Sequence, residues 1–208
     1  DGSVVTWGDS QNGGNISDVS SSLNGSIDTK EIFSTKAAFA ALRSDGSVVT
    51  WGDDSTGGDS QSVVSHLNGS NGVIKIASNM SAFAAIHTDG SVTTWGFSSF
   101  GGDSSPVSTQ LDGSVNVAEI SSTGSAFAAL REDGSVITWG NQLDGGDSST
   151  VSTRINGDID VTSIHSTTAA FAVIRTDGSV VTWGDINNGG DSSAISSAIN
   201  GTINITSI

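Results

Sequence analysis

Three apolar patterns recur along the chain in a fixed order. Residues 38–43, AFAALR, are small and apolar around a single phenylalanine. After Asp45-Gly46 comes a second apolar run, SVVTWG at 47–52. Further on, VIKIAS at 73–78 alternates apolar with polar positions. Short apolar runs bounded by turn residues, and alternation with a period of two, both predict strands. Asp-Gly between two such runs is a strong hairpin signal and predicts a type I′ turn with two residues at positive φ. Between the second and third runs, SVVSHL at 62–67 places Val63 and Leu67 four apart, which predicts a short helical turn. The preceding serines are its expected caps, and Asn68-Gly69 its expected end.

The whole pattern repeats every 44 residues. Trp7, Trp51, Trp95, Trp139 and Trp183 are each followed by glycine, and Phe39, Phe83, Phe127 and Phe171 keep the same step. Gly-Gly pairs at 13–14, 57–58, 101–102, 145–146 and 189–190 do likewise, as do Leu23, Leu67, Leu111, Ile155 and Ile199. The chain therefore reads as one repeat domain, 1–208, with units 1–44, 45–88, 89–132, 133–176 and a truncated 177–208. One unit is too small to hide its own apolar face and has to stack on its neighbours. The expected fold is all-β: a tandem-repeat β-propeller or propeller-like array of about five blades, each of three to four strands. Small Ala38, Ala40 and Ala41 suit close approach of sheets, and the aromatic positions are the expected core.

The segment AFAALRSDGSVVTWGDDSTGG, 38–58, resembles the repeat of the regulator-of-chromosome-condensation family. The short unit is similar to the trimmed blades of the β-lactamase-inhibitor propeller in the same superfamily. That resemblance implies a propeller fold and says little about function, since propellers host unrelated activities. The family commonly closes seven blades, and its Gly-Gln-Leu-Gly is here Gly57-Gly58-Asp59-Ser60. The family's eukaryotic founder binds a small GTPase and nucleosomes through special loops that have no counterpart in this sequence, so neither that role nor β-lactamase inhibition is carried over.

Charge narrows the function classes. Charged residues make up 14% of the chain and the net charge is −15, which opposes nucleic-acid binding and attachment to anionic lipid. No apolar run is long enough for a membrane-spanning helix, and no cysteine is present to form a disulfide or thiolate metal site. The first residue is Asp1, which suggests a mature or excised piece of something longer, and no signal peptide is evident. The fifth copy stops at Ile208, aligned with Ile164, so the stretch matching 165–176 and its Ala-Phe strand are missing. The strand at 3–8 is then expected to lack a hairpin partner. An excerpt of a longer array, a strand supplied by a neighbouring chain, and imperfect ring closure are the alternatives.

Candidate chemistry is sparse. Recurrent loop acids Asp9, Asp53, Asp59, Asp103, Asp147, Asp185 and Asp191 are the candidates for calcium, and turn caps are the competing explanation. No other cofactor is expected. Turn acids Asp45, Asp89, Asp133 and Asp177 are accounted for by the turns alone. His66, His87 and His165 fall at unrelated positions, His87 where other copies carry Arg43, Arg131 and Arg175. Candidate N-glycosylation acceptors are Asn15, Asn24, Asn68, Asn79, Asn200 and Asn204. The tryptophans would stack sugars if exposed. No catalytic motif stands out, and the expectation is a non-enzyme. The first functional reading is an extracellular or cell-surface structural module that assembles with neighbouring copies or flanking repeats, without nucleic acid or membrane insertion. The alternative is a soluble binding module that recognises a protein or glycan through loops 53–56, 97–100, 141–144 and 185–188.

Overall fold

A computed structural model describes residues 1–207. The chain divides into two compact units, one of residues Asp1–Ser104 and one from Ser105 onward. The end of the fifth repeat, at Ile208, lies outside the described residues.

The first unit holds two three-stranded antiparallel sheets. One comprises β1 (Thr29–Ser34), β2 (Ala38–Arg43) and β3 (Val48–Gly52); the other comprises β4 (Val73–Ser78), β5 (Ala82–His87) and β6 (Val92–Gly96). The second unit repeats the plan with β7 (Val117–Ser122), β8 (Ala126–Arg131) and β9 (Val136–Gly140), then β10 (Val161–Ser166), β11 (Ala170–Arg175) and β12 (Val180–Gly184). Four sheets therefore form among the described residues, against the five blades expected. The Ala-Phe strand is always the middle one. It pairs with the Trp strand in one register: Phe39 faces Trp51, Phe83 faces Trp95, Phe127 faces Trp139 and Phe171 faces Trp183. In three copies the loop after the helical turn makes one bridge beside the start of the Trp strand, Ser47 with Asn68, Ser135 with Asn156 and Ser179 with Asn200, and this is the trace of a fourth strand.

The Asp-Gly steps are tight reversals, but not of the expected type. The Gly46 amide donates to the Arg43 carbonyl at 3.0 Å and the Arg43 amide to the Ser47 carbonyl at 2.9 Å. Gly46 has φ +79°, and among the described residues none other than glycine has positive φ. The turn is thus type I followed by a left-handed glycine, not type I′. Asp45 stays at negative φ because its carboxylate is engaged ahead, accepting from the Ser47 amide and hydroxyl. The helical turns are 3₁₀ segments, such as Gln61–Val63 and Ser149–Arg154. Ser60 makes no side-chain cap there, contrary to expectation; Asp59 accepts from the Gln61 amide at 2.8 Å instead.

Packing runs from copy to copy. In the first unit Ala38, Ala40 and Leu42 share one buried cluster with Phe83, Ala85, Ile76 and Trp95. In the second, Ala126, Ala128 and Leu130 do the same with Phe171, Val173, Ile164 and Trp183. The small side chains of one sheet make room for the aromatic pair of the next. Those pairs are stacked, with ring centroids 5.1–5.4 Å apart. Three indoles also reach back to the preceding copy: Trp51 Nε1 donates to the Gly13 carbonyl at 3.0 Å, Trp95 to Gly57 at 3.2 Å and Trp183 to Gly145 at 3.0 Å.

Trp7 departs from the rule. It is 85% exposed, whereas Trp95 is 2% exposed, so it is not part of the core. Residues 3–8 form no sheet, because no Ala-Phe strand lies beside them among the described residues. Phe39, on the face turned toward residues 1–23, is only half-buried, while Phe83, Phe127 and Phe171 are fully buried.

Candidate functional site

The turn acids are spoken for by the backbone. Asp45, Asp89, Asp133 and Asp177 each accept from the amide of the serine two residues on, at 2.9–3.0 Å, and from its hydroxyl. At Asp45 and Asp177 the serine hydroxyl is the largest cause holding the carboxyl below its usual range. At Asp133 partial burial opposes, and the Ser135 hydrogen bonds with the Arg131 charge prevail. Asp89 is lowered furthest, to about 2, first by the Asn71 side chain and then by Ser91.

These shifts set an acid limb. A carboxyl whose folded pKa lies below its unfolded value stabilises fully above the unfolded value, and that stabilisation is lost as pH falls through the folded one. For Asp89 the window runs from 3.8 down to about 2. Acidification also relieves the repulsion of a −15 surface, so the fall is expected only below about pH 4. Thermal melts from neutral pH to pH 2 check this. Asp89→Asn keeps an acceptor oxygen and is expected to fold while showing a shallower acid limb; an unchanged limb would refute the assignment.

Calcium candidates are held the same way. Asp59, Asp147 and Asp191 accept from the amide two residues on at 2.8 Å, and Asp53 accepts from the Ser55 hydroxyl. Asp9 and Asp185 accept from the Gln11 and Asn187 amides. Asp103 lies in the equivalent loop. Among the described residues no three Asp, Glu or His side chains gather where one ion could hold them.

Five of the six sequon asparagines are exposed: Asn15, Asn24, Asn68, Asn200 and Asn204. Four of these accept from the amide two residues on, at 2.9 Å, and so act as turn residues. Asn79 is buried and has to be removed from the glycan candidates. Its Nδ2 donates to the Phe100 carbonyl at 2.6 Å while Oδ1 accepts from the Ser81 and Ala82 amides.

His87 is buried, its Nδ1 2.8 Å from the Asn71 carbonyl and its Nε2 2.8 Å from Thr93 Oγ1. A carbonyl only accepts, so Nδ1 carries a proton and donates it to Asn71. This histidine replaces the arginine that bonds the turn serine in other copies. His66 is exposed, and His165 Nε2 lies 3.2 Å from Ser163 Oγ.

Two features are left for recognition. The first is the uncovered flank of residues 4–8, where Val5 and Trp7 are exposed and a cavity of about 280 Å³ is lined by Val4, Val5, Trp7, Gly13, Phe39 and Trp51. Nothing in the local motif of Trp7 separates it from the other tryptophans, so its environment was invisible to position-by-position reading. The second is the loop Phe97–Phe100, where two phenylalanines stand edge to face 5.3 Å apart and Phe97 and Met80 are exposed. Sequence flagged this loop only as variable. Its signal was available, since phenylalanine stands where four other copies have Asp9, Asp53, Asn141 and Asp185.

No protein-family model and no curated protein matches the chain. Solved structures do. Prp20p from Saccharomyces cerevisiae, studied with its binding to Gsp1p and histones, is 16% identical over 83% of this chain and 47% of its own, with a TM-score of 0.53. Yeast RCC1 (Prp20) bound to Kap60 is 15% identical over 80% and 44%, with a TM-score of 0.50. The ectodomain of the Physcomitrella patens receptor kinase CR4 is 16% identical over 77% and 42%, with a TM-score of 0.50. The chain spans less than half the length of each. The likeness is one of fold: an all-β, propeller-like array of three-stranded sheets. No helix of the described residues is long and apolar enough to cross a membrane.

Proposed function

We propose that the chain is a non-catalytic structural repeat module of an extracellular or cell-surface protein, of the short-bladed propeller type, which docks edge to edge onto further repeats. One observation carries this reading. In three of the four sheets the aromatic pair is tied to the copy before it by the indole bond to a glycine carbonyl, and Trp7 of the first copy stands uncovered. Exposed Ile32 and Ile74 on outer strands β1 and β4 add apolar edge. The −15 charge suits a salty medium, where counterions screen repulsion between copies. The CR4 ectodomain, of similar fold, accords with a place outside the cell. No nucleic-acid partner and no membrane insertion belong to this reading.

Analytical ultracentrifugation tests it. Association is expected to grow with protein concentration and with salt, and Trp7→Ala to weaken it. A monomer under every condition would defeat the reading. A binding role through loop 97–100 would then take its place, supported by the exposed Phe97, and a pull-down that Phe97→Ser abolishes would identify it.

A further inference from the structure

We infer that the bare flank of Val4–Gly8 is a strand-acceptor site for an extended segment of the pattern small-Phe-Ala, then Ala or Val, then aliphatic-Arg. The inference deepens the module reading above and rests on it for its biological setting, though not for its geometry.

The other flank of this segment is already built as in complete sheets. The Val4 amide donates to the Leu23 carbonyl at 2.9 Å, as Val48 does to Leu67, Val136 to Ile155 and Val180 to Ile199. Thr6 Oγ1 donates to the Gly14 carbonyl at 3.0 Å, matching Thr50 to Gly58 at 2.9 Å. The Gly14 amide donates to the Asp9 carbonyl, as Gly58 does to Asp53. Asp1 accepts from Ser3 as Asp45 does from Ser47. The strand is therefore preorganised on one side, which lowers the cost of adding a partner on the other.

The open side has the shape of what fills it elsewhere. A methyl group placed on Gly52 would lie 2.5 Å from the Ala37 carbonyl oxygen, on Gly96 2.6 Å from Ser81, and on Gly184 2.6 Å from Ala169. At Gly8, with the same left-handed backbone at φ +107°, it meets nothing within 4 Å. The space that three other copies give to the Ala-Phe strand is empty here.

The repeat supplies the register. By analogy with Phe39 on Trp51, Ala40 on Thr50, Ala41 on Val49 and Leu42 on Val48, the incoming phenylalanine faces Trp7. Its next two residues face Thr6 and Val5, and its aliphatic residue faces Val4. The arginine reaches Ser3, as Arg43 Nε reaches Ser47 Oγ at 2.8 Å, beside the acidic Asp1. The occupant is not the Ala-Phe strand of a folded second copy, which can pack over Trp7 but cannot insert that strand. Every Ala-Phe strand among the described residues is the middle strand of its own sheet and has neither edge free. It is a segment of this pattern that has no sheet of its own.

A synthetic peptide of residues 166–178, added to the full chain, is the test. Saturable one-to-one binding is expected by calorimetry, with a blue shift of tryptophan emission as Trp7 leaves water, and with amide-exchange protection gained at residues 3–8. Trp7→Ala in the chain, or Phe171→Ala in the peptide, is expected to weaken binding about tenfold or more, since each removes one ring of the stack. Trp7 is exposed, so its variant folds as the parent does. Absence of binding, equal affinity for Trp7→Ala, or equal affinity of the Phe171→Ala peptide would overturn the inference. Self-association without peptide binding would overturn it and leave the module reading standing; peptide binding by a chain that stays monomeric supports it and removes the module reading.

Discussion

Trp95→Ala is expected to cost about 3–5 kcal/mol, and Trp7→Ala less than about 0.5 kcal/mol, although the two residues occupy the same place in the repeat. Trp95 is 2% exposed, stacks on Phe83 at 5.1 Å and donates to the Gly57 carbonyl. Its truncation opens a cavity between two sheets and leaves a buried carbonyl without its donor. Trp7 is surrounded by water and loses nothing of that kind. Both lie in the unit Asp1–Ser104, so one denaturant transition reports on both. Against a total stability of about 5–15 kcal/mol for an ordinary domain, the first change removes a large share. Urea titration of the two variants checks the contrast, and comparable losses at both sites would mean that Trp7 is covered in solution.

Gly52→Ala and Gly8→Ala form a second matched pair. Their φ values are +109° and +107°, so both substitutions incur the left-handed penalty of about 1–2 kcal/mol. Only at Gly52 does the new methyl also strike backbone, the Ala37 carbonyl oxygen at 2.5 Å and Ala38 Cα at 2.8 Å. Backbone within a sheet cannot swing aside like a flexible side chain, so overpacking adds about 1–3 kcal/mol. Gly52→Ala is expected to be the costlier by that margin. Equal costs would show that strand β2 yields, or that the Gly8 site is filled.

Much of this architecture could be read from the residues. The Asp-Gly steps, the apolar runs and the strict spacing located all four hairpins, their strands and the aromatic core pairs. The turn type could not be read, because a left-handed glycine is all that Asp-Gly demands. Whether the aspartate itself takes positive φ is decided by the serine two positions later, which draws its carboxylate forward. The unpaired strand at 3–8 was legible from the missing Ala-Phe stretch, whereas the exposure of Trp7 was not legible from its own motif, since burial of a repeat position depends on a strand elsewhere. Asn79 shows the same limit at a sequon. Its motif matches its exposed relatives, yet its amide is the tie between loop 97–100 and the β4–β5 turn. Reading motifs one at a time finds acceptors and donors, and only the packed fold says which are already engaged.

The reversals of this chain ask for one thing from Asp or Asn, an oxygen that accepts from the amide two residues on. Asn24, Asn68, Asp112, Asn156 and Asn200 stand at one repeat position and serve it alike. Electrical charge is therefore a free variable of the architecture. Amide and acid can be exchanged from copy to copy, tuning solubility or salt tolerance, while the backbone path is left as it was.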